Sequence, residues 1–365
     1  MKIITPILLV NKNQVYRNIS KMIEKAKKNH VRFRPHFKTH QSAVIGEWFK
    51  EFGVSSITVS SVKMAECFAN AGWDDITIAF PVNILEIEKI NNLAKKIDLN
   101  LLVESENVIR FLENELESEV KVWINIDVGY HRDGIKWDKW DKITRLARLI
   151  EDSKILVLKG ILTHAGHSYK SRTKVEIVQV HIDSISKMET IQMYLTEKGF
   201  FNIEISVGDT PTVSIVDEFS SVDEIRPGNF VFYDLKQVQI SSCSENEIAI
   251  RFACPIVAKY EDRNEVLIDG GAIHFSKDYI LDDNQRKIYG YITKEIDGKW
   301  ESKIEDSYVT SISQEHGTIK LNVEYFNEVN IGDVLLIIPV HACLATNLMG
   351  KLYLTTGQEI EAKCR

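Results

Sequence analysis

The sequence predicts a (β/α)8 barrel followed by a smaller, mostly β domain. Eight strand-like runs alternate with helical or loop segments over the first two-thirds of the chain. From about residue 235 that alternation stops, and turn-punctuated strands take over. Polar, glycine-rich motifs recur at the ends of the early runs, where such a barrel gathers its functional residues. A doubly wound sheet is the rival, but it rarely takes eight consecutive units so evenly spaced.

In chain order, Ile7–Val10 is a short apolar strand. Val15, Ile19, Met22, Ile23 and Ala26 then fall on one face of a helix, and Lys25-Ala26-Lys27-Lys28 at its end reads as solvated surface. The barrel strands start near Val31, Ile57, Ile76, Leu99, Val122, Leu158, Ile203 and Ile225, the last of them the least regular. Beyond them, 248–253, 265–269, 319–323 and 333–338 read as strands. Turn signals at Asp269-Gly270-Gly271, His316-Gly317 and Ile331-Gly332-Asp333 separate them. The expected division is a barrel over 12–238 and a β domain formed by 1–11 and 239–365.

The 365 residues suffice for two domains, and 44% hydrophobic with 27% charged residues is a soluble globular composition. A net charge of −7 with no basic cluster argues against a nucleic-acid partner. No apolar run approaches the roughly 18 residues a membrane span needs, and the opening MKIITPILLV turns polar too soon for a signal peptide. Cys67, Cys243, Cys254, Cys343 and Cys364 are odd in number, widely spaced and without a CxxC pair, which points to a reducing cytoplasm.

The most informative stretch is Arg34-Pro35-His36-Phe37-Lys38-Thr39-His40, which closes the first barrel run. Desolvation lowers a lysine's pKa, and a neutral amine condenses with carbonyls. Lys38 is therefore the candidate Schiff-base lysine, against the plainer reading of a surface lysine at a turn. Later strand ends carry Asp127-Val128-Gly129-Tyr130-His131-Arg132-Asp133-Gly134, Thr163-His164-Ala165-Gly166-His167-Ser168-Tyr169, Ser206-Val207-Gly208-Asp209-Thr210-Pro211-Thr212 and Arg226-Pro227-Gly228. Arg132 either pairs with Asp127 or Asp133 or offers a pocket a fixed cation. His164 and His167 sit three apart with no third metal ligand nearby, which favours packing over metal binding. The Gly208 loop is either an anion cradle or a plain strand-to-helix turn with Thr210 or Thr212 as N-cap. Asp209 would repel a phosphate there, so its side chain should turn away or cap locally. Downstream, His341 and Cys343 lie two apart on what reads as an extended segment. Imidazole plus thiolate is a zinc-type pair, against a buried free cysteine beside a histidine.

Taken together, RPHFKTH, DVGYHRDG, THAGHSY, SVGDTPT, RPGNFVFYD, EHG and HACLATNL resemble the ordered motifs of the D-serine dehydratase and D-threonine aldolase group of fold-type III pyridoxal-phosphate enzymes. That group has the alanine-racemase architecture, and the likeness spans nearly the whole chain. It implies that the strand Ile7–Val10 joins the β domain before the barrel begins. It implies that Lys38 carries pyridoxal phosphate, with His36 among the cofactor-binding residues. Arg132 would approach the phenolic oxygen, and Gly208, Thr210 and the backbone amide of Asp209 would hold the phosphate. His164 would lie near the ring, and Tyr169 or Arg226 would meet the pyridine nitrogen. His341 and Cys343 would bind an activating divalent metal, and the thiolate favours zinc over manganese or magnesium.

The resulting expectation is a metal-assisted lyase acting on a small β-hydroxy D-amino acid, as a D-serine dehydratase does, working as a head-to-tail homodimer. Retro-aldol cleavage of the D-threonine aldolase kind is the nearest alternative. An amino-acid racemase would need a second base, for which Tyr260, Tyr279, Tyr289 and Tyr291 are available but lie in no motif. A non-catalytic pyridoxal-phosphate carrier is the alternative of another class.

Overall fold

The structure, a computed structural model, describes residues 2–364. These form two compact units, one of residues 2–19, 39–44 and 229–363, the other of 20–38, 45–228 and 364.

The second unit is the barrel. Its strands are Arg32–Phe33, Ser56–Val59, Asp75–Pro81, Asp98–Val103, Val120–Asp127, Leu156–Thr163, Glu204–Val207 and Glu224–Ile225. All pair in parallel, in chain order from Ser56–Val59 round to Glu224–Ile225 and then Arg32–Phe33. A single parallel bridge between His36 and Thr58 nearly closes the ring, flanked by Phe37 N–H to Thr58 O and Thr58 N–H to Pro35 O, both 2.9 Å. Beyond this two-residue strand the bonding to the neighbouring segment continues through Arg34 N–H to Ile225 O and His36 N–H to Pro227 O, at 3.0 and 2.9 Å. Strands such as Ser56–Val59 are buried on both faces, which is why they read as unbroken apolar runs.

The predicted first helix is Lys12–Lys28, and Val15, Ile19, Met22, Ile23 and Ala26 are all buried. Lys25 departs from the solvated-face reading. Its ammonium donates to the carbonyls of Val213, Ser214 and Val216 at 3.0, 2.7 and 2.9 Å. It thereby satisfies the C-terminal carbonyls of the short helix Thr210–Ile215, which a helix cannot satisfy by itself.

The other unit is built on a nine-stranded sheet in the order Glu265–Asp269, His316–Lys320, Lys299–Ile312, Gly290–Ile296, Val334–Pro339, Ile250–Tyr260, Ile7–Val10, Lys351–Leu354 and Glu359–Glu361. Glu265–Asp269 also pairs with Ile250–Tyr260, which closes six of these strands into a ring. Ile7–Val10 lies antiparallel to Ile250–Tyr260, with Ile7 opposite Ala253, so the opening strand belongs to this sheet as the resemblance implied. The hairpin Gly290–Ile296 and Lys299–Ile312 is absent from the sequence reading. Its turn residues Asp297 and Gly298 both have positive φ, the geometry of a tight hairpin, but its strands are charged and largely exposed, without clean alternation.

The cysteines also differ from expectation. Cys67 and Cys364 form a disulfide across 297 residues of sequence, a pairing that spacing does not reveal, while Cys243, Cys254 and Cys343 are not disulfide-bonded. Among the described residues no helix is long and apolar enough to cross a membrane.

Candidate active site

In the barrel unit the site begins at Phe37. Its ring is fully buried, with centroids 4.9, 5.0 and 5.1 Å from those of Phe49, Phe68 and Trp73. This anchor fixes the backbone on either side. His36 N–H is tied to Pro227 O at 2.9 Å, and Lys38 N–H donates to His36 Nδ1 at 3.3 Å. The latter bond makes Nδ1 an acceptor, so a neutral His36 carries its proton on Nε2. Lys38 itself is half-buried at the strand end.

Burial holds both His36 and His164 well below the usual histidine range, and the cations Lys38, Arg132 and Arg226 add to the effect at each. Both rings are therefore neutral at pH 7. His36, Lys38, Arg132, His164 and Arg226 thus lie within electrostatic reach of one another in the barrel unit. His164 Nδ1 bonds the carbonyl of Gly208, which puts its proton on the opposite nitrogen from that of His36. His167 is less buried and lies nearer Asp127 and Lys187. Arg132 is half-exposed, pairs with Asp133 at 3.1 Å and lies 5.3 Å over the Tyr130 ring. Asp127 instead bonds the exposed His131, at 2.8 Å to Nδ1.

The loop after Glu204–Val207 carries Gly208, Asp209 and Thr210. A Cβ at residue 208 would come within 3.0 Å of Arg226 Cβ and 3.2 Å of its Nη1, so only glycine leaves that space open. Asp209, not Thr210 or Thr212, is the N-cap of the helix that follows. Its buried carboxylate accepts from Thr212 N–H at 2.9 Å, Thr212 Oγ1 at 2.7 Å and Ser168 Oγ at 2.8 Å. These bonds occupy both carboxylate oxygens and resolve the anticipated repulsion. Thr210 N–H donates to Tyr169 Oη at 3.4 Å, and Thr210 Oγ1 accepts from Gly228 N–H at 3.3 Å. Tyr169 and the Arg226-Pro227-Gly228 segment thus meet at this loop.

In the β unit, His341 and Cys343 do not lie on an extended segment. His341 is the N-cap of the helix Ala342–Met349, and Cys343 is in its first turn. The cap geometry still keeps the pair close enough for Cys343 to act on the charge of His341. On the other side His341 Nδ1 lies 2.5 Å from Asp278 Oδ2, and Lys236 Nζ is 3.0 Å from the same carboxylate oxygen. Burial opposes protonation of His341, but Asp278, Cys343 and Asp234 raise its pKa to about 10. Asp278, bonded by His341 and Lys236, is drawn down to about 2. Cys343 Sγ is also 3.3 Å from Thr39 Oγ1, and Asn229 Nδ2 approaches it at 3.9 Å. Asp234 clamps the segment by accepting from Ala342 N–H at 2.9 Å, Asn229 Nδ2 at 2.7 Å and Gln237 N–H at 3.1 Å.

Sequence reasoning did not single out Asp278, Asp234, Thr39, Ser168, Ser206 or Glu224. Thr39, Ser168, Ser206 and Asp234 at least stand inside quoted motifs. Asp278 lies in Phe275-Ser276-Lys277-Asp278-Tyr279, which carries no signal of its own.

The residues present suit both implied groups. A half-buried lysine beside neutral histidines, with a glycine loop that a methyl group would fill, suits an aromatic aldehyde bearing a phosphate. A paired imidazole and thiol, with a carboxylate behind the imidazole, suits a borderline-soft divalent ion. Among the described residues no third His, Cys, Asp or Glu completes a metal-binding group.

Comparison with known proteins agrees with this architecture. Residues 10–236 match the alanine racemase N-terminal domain, and residues 249–355 match a serine dehydratase domain. The chain belongs to the alanine racemase N-terminal domain family, within the fold-type III pyridoxal-phosphate enzymes. It is 29% identical to the D-serine dehydratase of Dictyostelium discoideum, over 93% of this chain and 90% of that one. The D-threo-3-hydroxyaspartate dehydratase of Delftia sp. HT23 superposes with a TM-score of 0.90 at 27% identity, covering 98% and 97% of the two chains. A cysteine-to-alanine mutant of that dehydratase, described as the metal-free form, superposes at 0.91 with 26% identity and the same coverage. The D-threonine aldolase of Arthrobacter is 23% identical over 63% of this chain and 61% of its own.

Proposed function

We propose that this chain is a pyridoxal-phosphate- and metal-dependent dehydratase of a small β-hydroxy D-amino acid, with D-serine as the leading substrate, releasing a keto acid and ammonia. The observation that carries the reading is the facing pair His341 and Cys343, a ligand set that adds Lewis-acid capacity to a lysine-centred cofactor site. The end-to-end sequence likeness to two dehydratases supports it, whereas the sequence match to the Arthrobacter aldolase spans 63% of the chain. The metal-free state of a relative that lacks a cysteine supports a thiolate ligand. Sulfur and imidazole together favour zinc.

Lys38 would hold the cofactor covalently, Gly208, Thr210 and the Asp209 amide its phosphate, and Arg132 its phenolic oxygen, with His36 and His164 packed against it as neutral rings. The bound cofactor supplies an electron sink for bond breaking at the substrate's Cα. The metal supplies a Lewis acid at the β-hydroxyl, which is otherwise a poor leaving group. Lys38 Nζ would also be the base nearest the substrate's Cα proton. His36 and His164 do not compete for that proton, because burial keeps both from taking on charge. Asp278 orients the imidazole of His341, as carboxylates do behind metal-bound histidines. Within the β unit the hydroxyl of Thr39 contacts Cys343. The active form is a homodimer, the assembly that the family resemblance implies, and sedimentation of the active enzyme tests it.

The deciding experiment incubates the purified, cofactor-loaded protein with D-serine, D-threonine and D-threo-3-hydroxyaspartate, with and without zinc or manganese. Keto acid and ammonia from D-serine or D-threo-3-hydroxyaspartate, lost on chelation, is the expected result. Glycine plus aldehyde would assign the aldolase reaction instead. Interconversion of D- and L-alanine unaffected by chelation would assign a racemase, and no turnover of any substrate would assign a carrier.

A further inference from the structure

Glu224 has no part in the chemistry above, yet it is fully buried in the barrel unit two residues before Arg226. Its Oε2 accepts from Arg34 Nε at 2.7 Å and Arg32 Nε at 2.9 Å. Its Oε1 accepts from Ser206 Oγ at 2.7 Å. The same serine oxygen accepts from Arg226 Nε at 2.7 Å, and Arg226 Nη2 donates to Thr163 O at 2.7 Å. On the far side Arg34 makes a bidentate pair with Asp75 at 2.6 and 2.9 Å. A continuous line of bonds therefore runs Asp75, Arg34, Glu224, Ser206, Arg226.

The line is asymmetric. Without Glu224, Arg34 keeps Asp75 and Arg32 keeps Glu204 as carboxylate partners. Arg226 reaches its main carboxylate only through the serine hydroxyl; the other acidic group that influences it is Asp209, already bonded to Thr212 and Ser168. Burial lowers the pKa of Arg226 to about 10, and Glu224 is the largest influence opposing this. With Nε and Nη2 engaged, Nη1 faces the space kept open by Gly208. Tyr169, the other candidate for the pyridine nitrogen, has its hydroxyl on the Thr210 amide at the phosphate loop.

The geometry points to Glu224, acting through Ser206, as a positioning residue that fixes Arg226 at the Gly208 loop, beside a cofactor carried on Lys38. This inference rests on the cofactor assignment made above. Glu224 touches neither substrate nor cofactor; its effect is to hold one guanidinium in one orientation and one charge state. Ser206 is the joint where that effect separates from structural ion pairing, because removing its hydroxyl leaves every carboxylate–guanidinium contact of Glu224 in place.

The test compares wild type with Ser206→Ala, Ser206→Thr and Glu224→Gln, each loaded with pyridoxal phosphate. Three quantities are read: the pH titration of the cofactor's visible absorption band, kcat and KM separately, and the thermal midpoint of the cofactor-free protein. Ser206→Ala should keep a near wild-type midpoint while its absorption transition moves up by about half a pH unit or more, because a fixed cation near the chromophore is released. Its kcat should fall about tenfold with KM little changed. Ser206→Thr should restore the wild-type titration. Glu224→Gln should show the same spectral shift with a lower midpoint, and if it does not fold, Ser206→Ala decides alone. A Ser206→Ala protein whose band titrates with the wild-type curve overturns the relay while leaving the cofactor assignment intact. A wild type with no visible band and no borohydride-fixed cofactor on Lys38 overturns both.

Discussion

Cys343 is held by its surroundings more than by its own helix. Thr39 and Asn229 approach its sulfur, and Asp234 fixes the amide of Ala342 beside it. A thiol so placed can be removed without opening a large cavity, so its loss should be read as chemistry. Cys343→Ala is expected to bind less than about a tenth of the wild-type metal and to lose activity by roughly a hundredfold or more, while the cofactor's colour persists. Metal analysis together with an absorption spectrum checks this. Unchanged metal content would make His341 and Cys343 a structural contact and remove the main support for a lyase. The residues legible in sequence were those of types that are costly unless they serve chemistry, such as a lysine at a strand end, a glycine in a polar loop or a histidine near a cysteine. Asp278 and Glu224 escaped because a carboxylate is common on any surface. Their roles come from partners 63 residues away at His341 and 190 away at Arg34, a separation that no local pattern encodes.

Among the elements, the helix Thr210–Ile215 is too short to be stable by itself and depends on both of its ends. Asp209 caps the first turn, and Lys25 from the helix Lys12–Lys28 takes the carbonyls of the last. Burial pulls the Lys25 pKa down to about 8, with Asp217 opposing, so the ammonium is still the major form at neutral pH. Lys25→Ala should therefore loosen the loop that carries Gly208 and Thr210. The expected cost is about 1–3 kcal/mol in stability, with a several-fold rise in the Kd for pyridoxal phosphate and little change in kcat once the site is saturated. Denaturant titration and cofactor binding measure the two effects; cofactor affinity equal to wild type would show that the loop does not depend on this contact. Element reading from sequence succeeded where burial imposed a pattern, as in the eight barrel strands and the first helix. It failed at the hairpin Gly290–Ile296 and Lys299–Ile312, whose solvent-facing charges break the period, and at His341–Cys343, where only Val340 and His341 separate a strand from a helix. The same absence of pattern hid Lys25, since a lysine capping a distant helix reads like any other lysine on a polar face.

For the whole molecule, the cross-link and the buried titratable groups set the limits of stability. The Cys67–Cys364 disulfide encloses nearly the entire chain, and in the chain-entropy view a loop of 297 residues is among the most strongly stabilised, though measured values cluster at about 2–4 kcal/mol. Cys364→Ser, or wild type under reducing conditions, should melt several degrees lower than the oxidised protein; equal melting would mean that the bond constrains little. Acid should act through other groups. In the folded protein burial holds His40 at about 3, partly offset by the Ser42 amide, and His181 at about 4, and it keeps His36 and His164 well below the usual range. An unfolded histidine takes its proton near 6.5. Between those values the unfolded chain binds more protons, so stability falls as the pH drops from about 6.5. Glu224 adds a second window. Burial opposes its ionisation, but Arg34 and Arg32 bring its pKa to about 2, against about 4.5 when unfolded. Its contribution, on the order of 3 kcal/mol, is fully present above the unfolded value and is lost as the pH falls from about 4.5 toward 2. Above that window His341 acts the other way, since a folded pKa of about 10 against about 6.5 unfolded adds stability as the pH falls. The thermal midpoint should therefore rise from pH 8 to about 6.5, decline through the histidine window and drop more steeply below pH 4.5. Glu224→Gln should begin with a lower midpoint and lack the second, steeper phase. Scanning calorimetry from pH 8 to 3 on the two proteins separates the contributions, and parallel curves across the lower window would show that Glu224 does not carry the acid sensitivity.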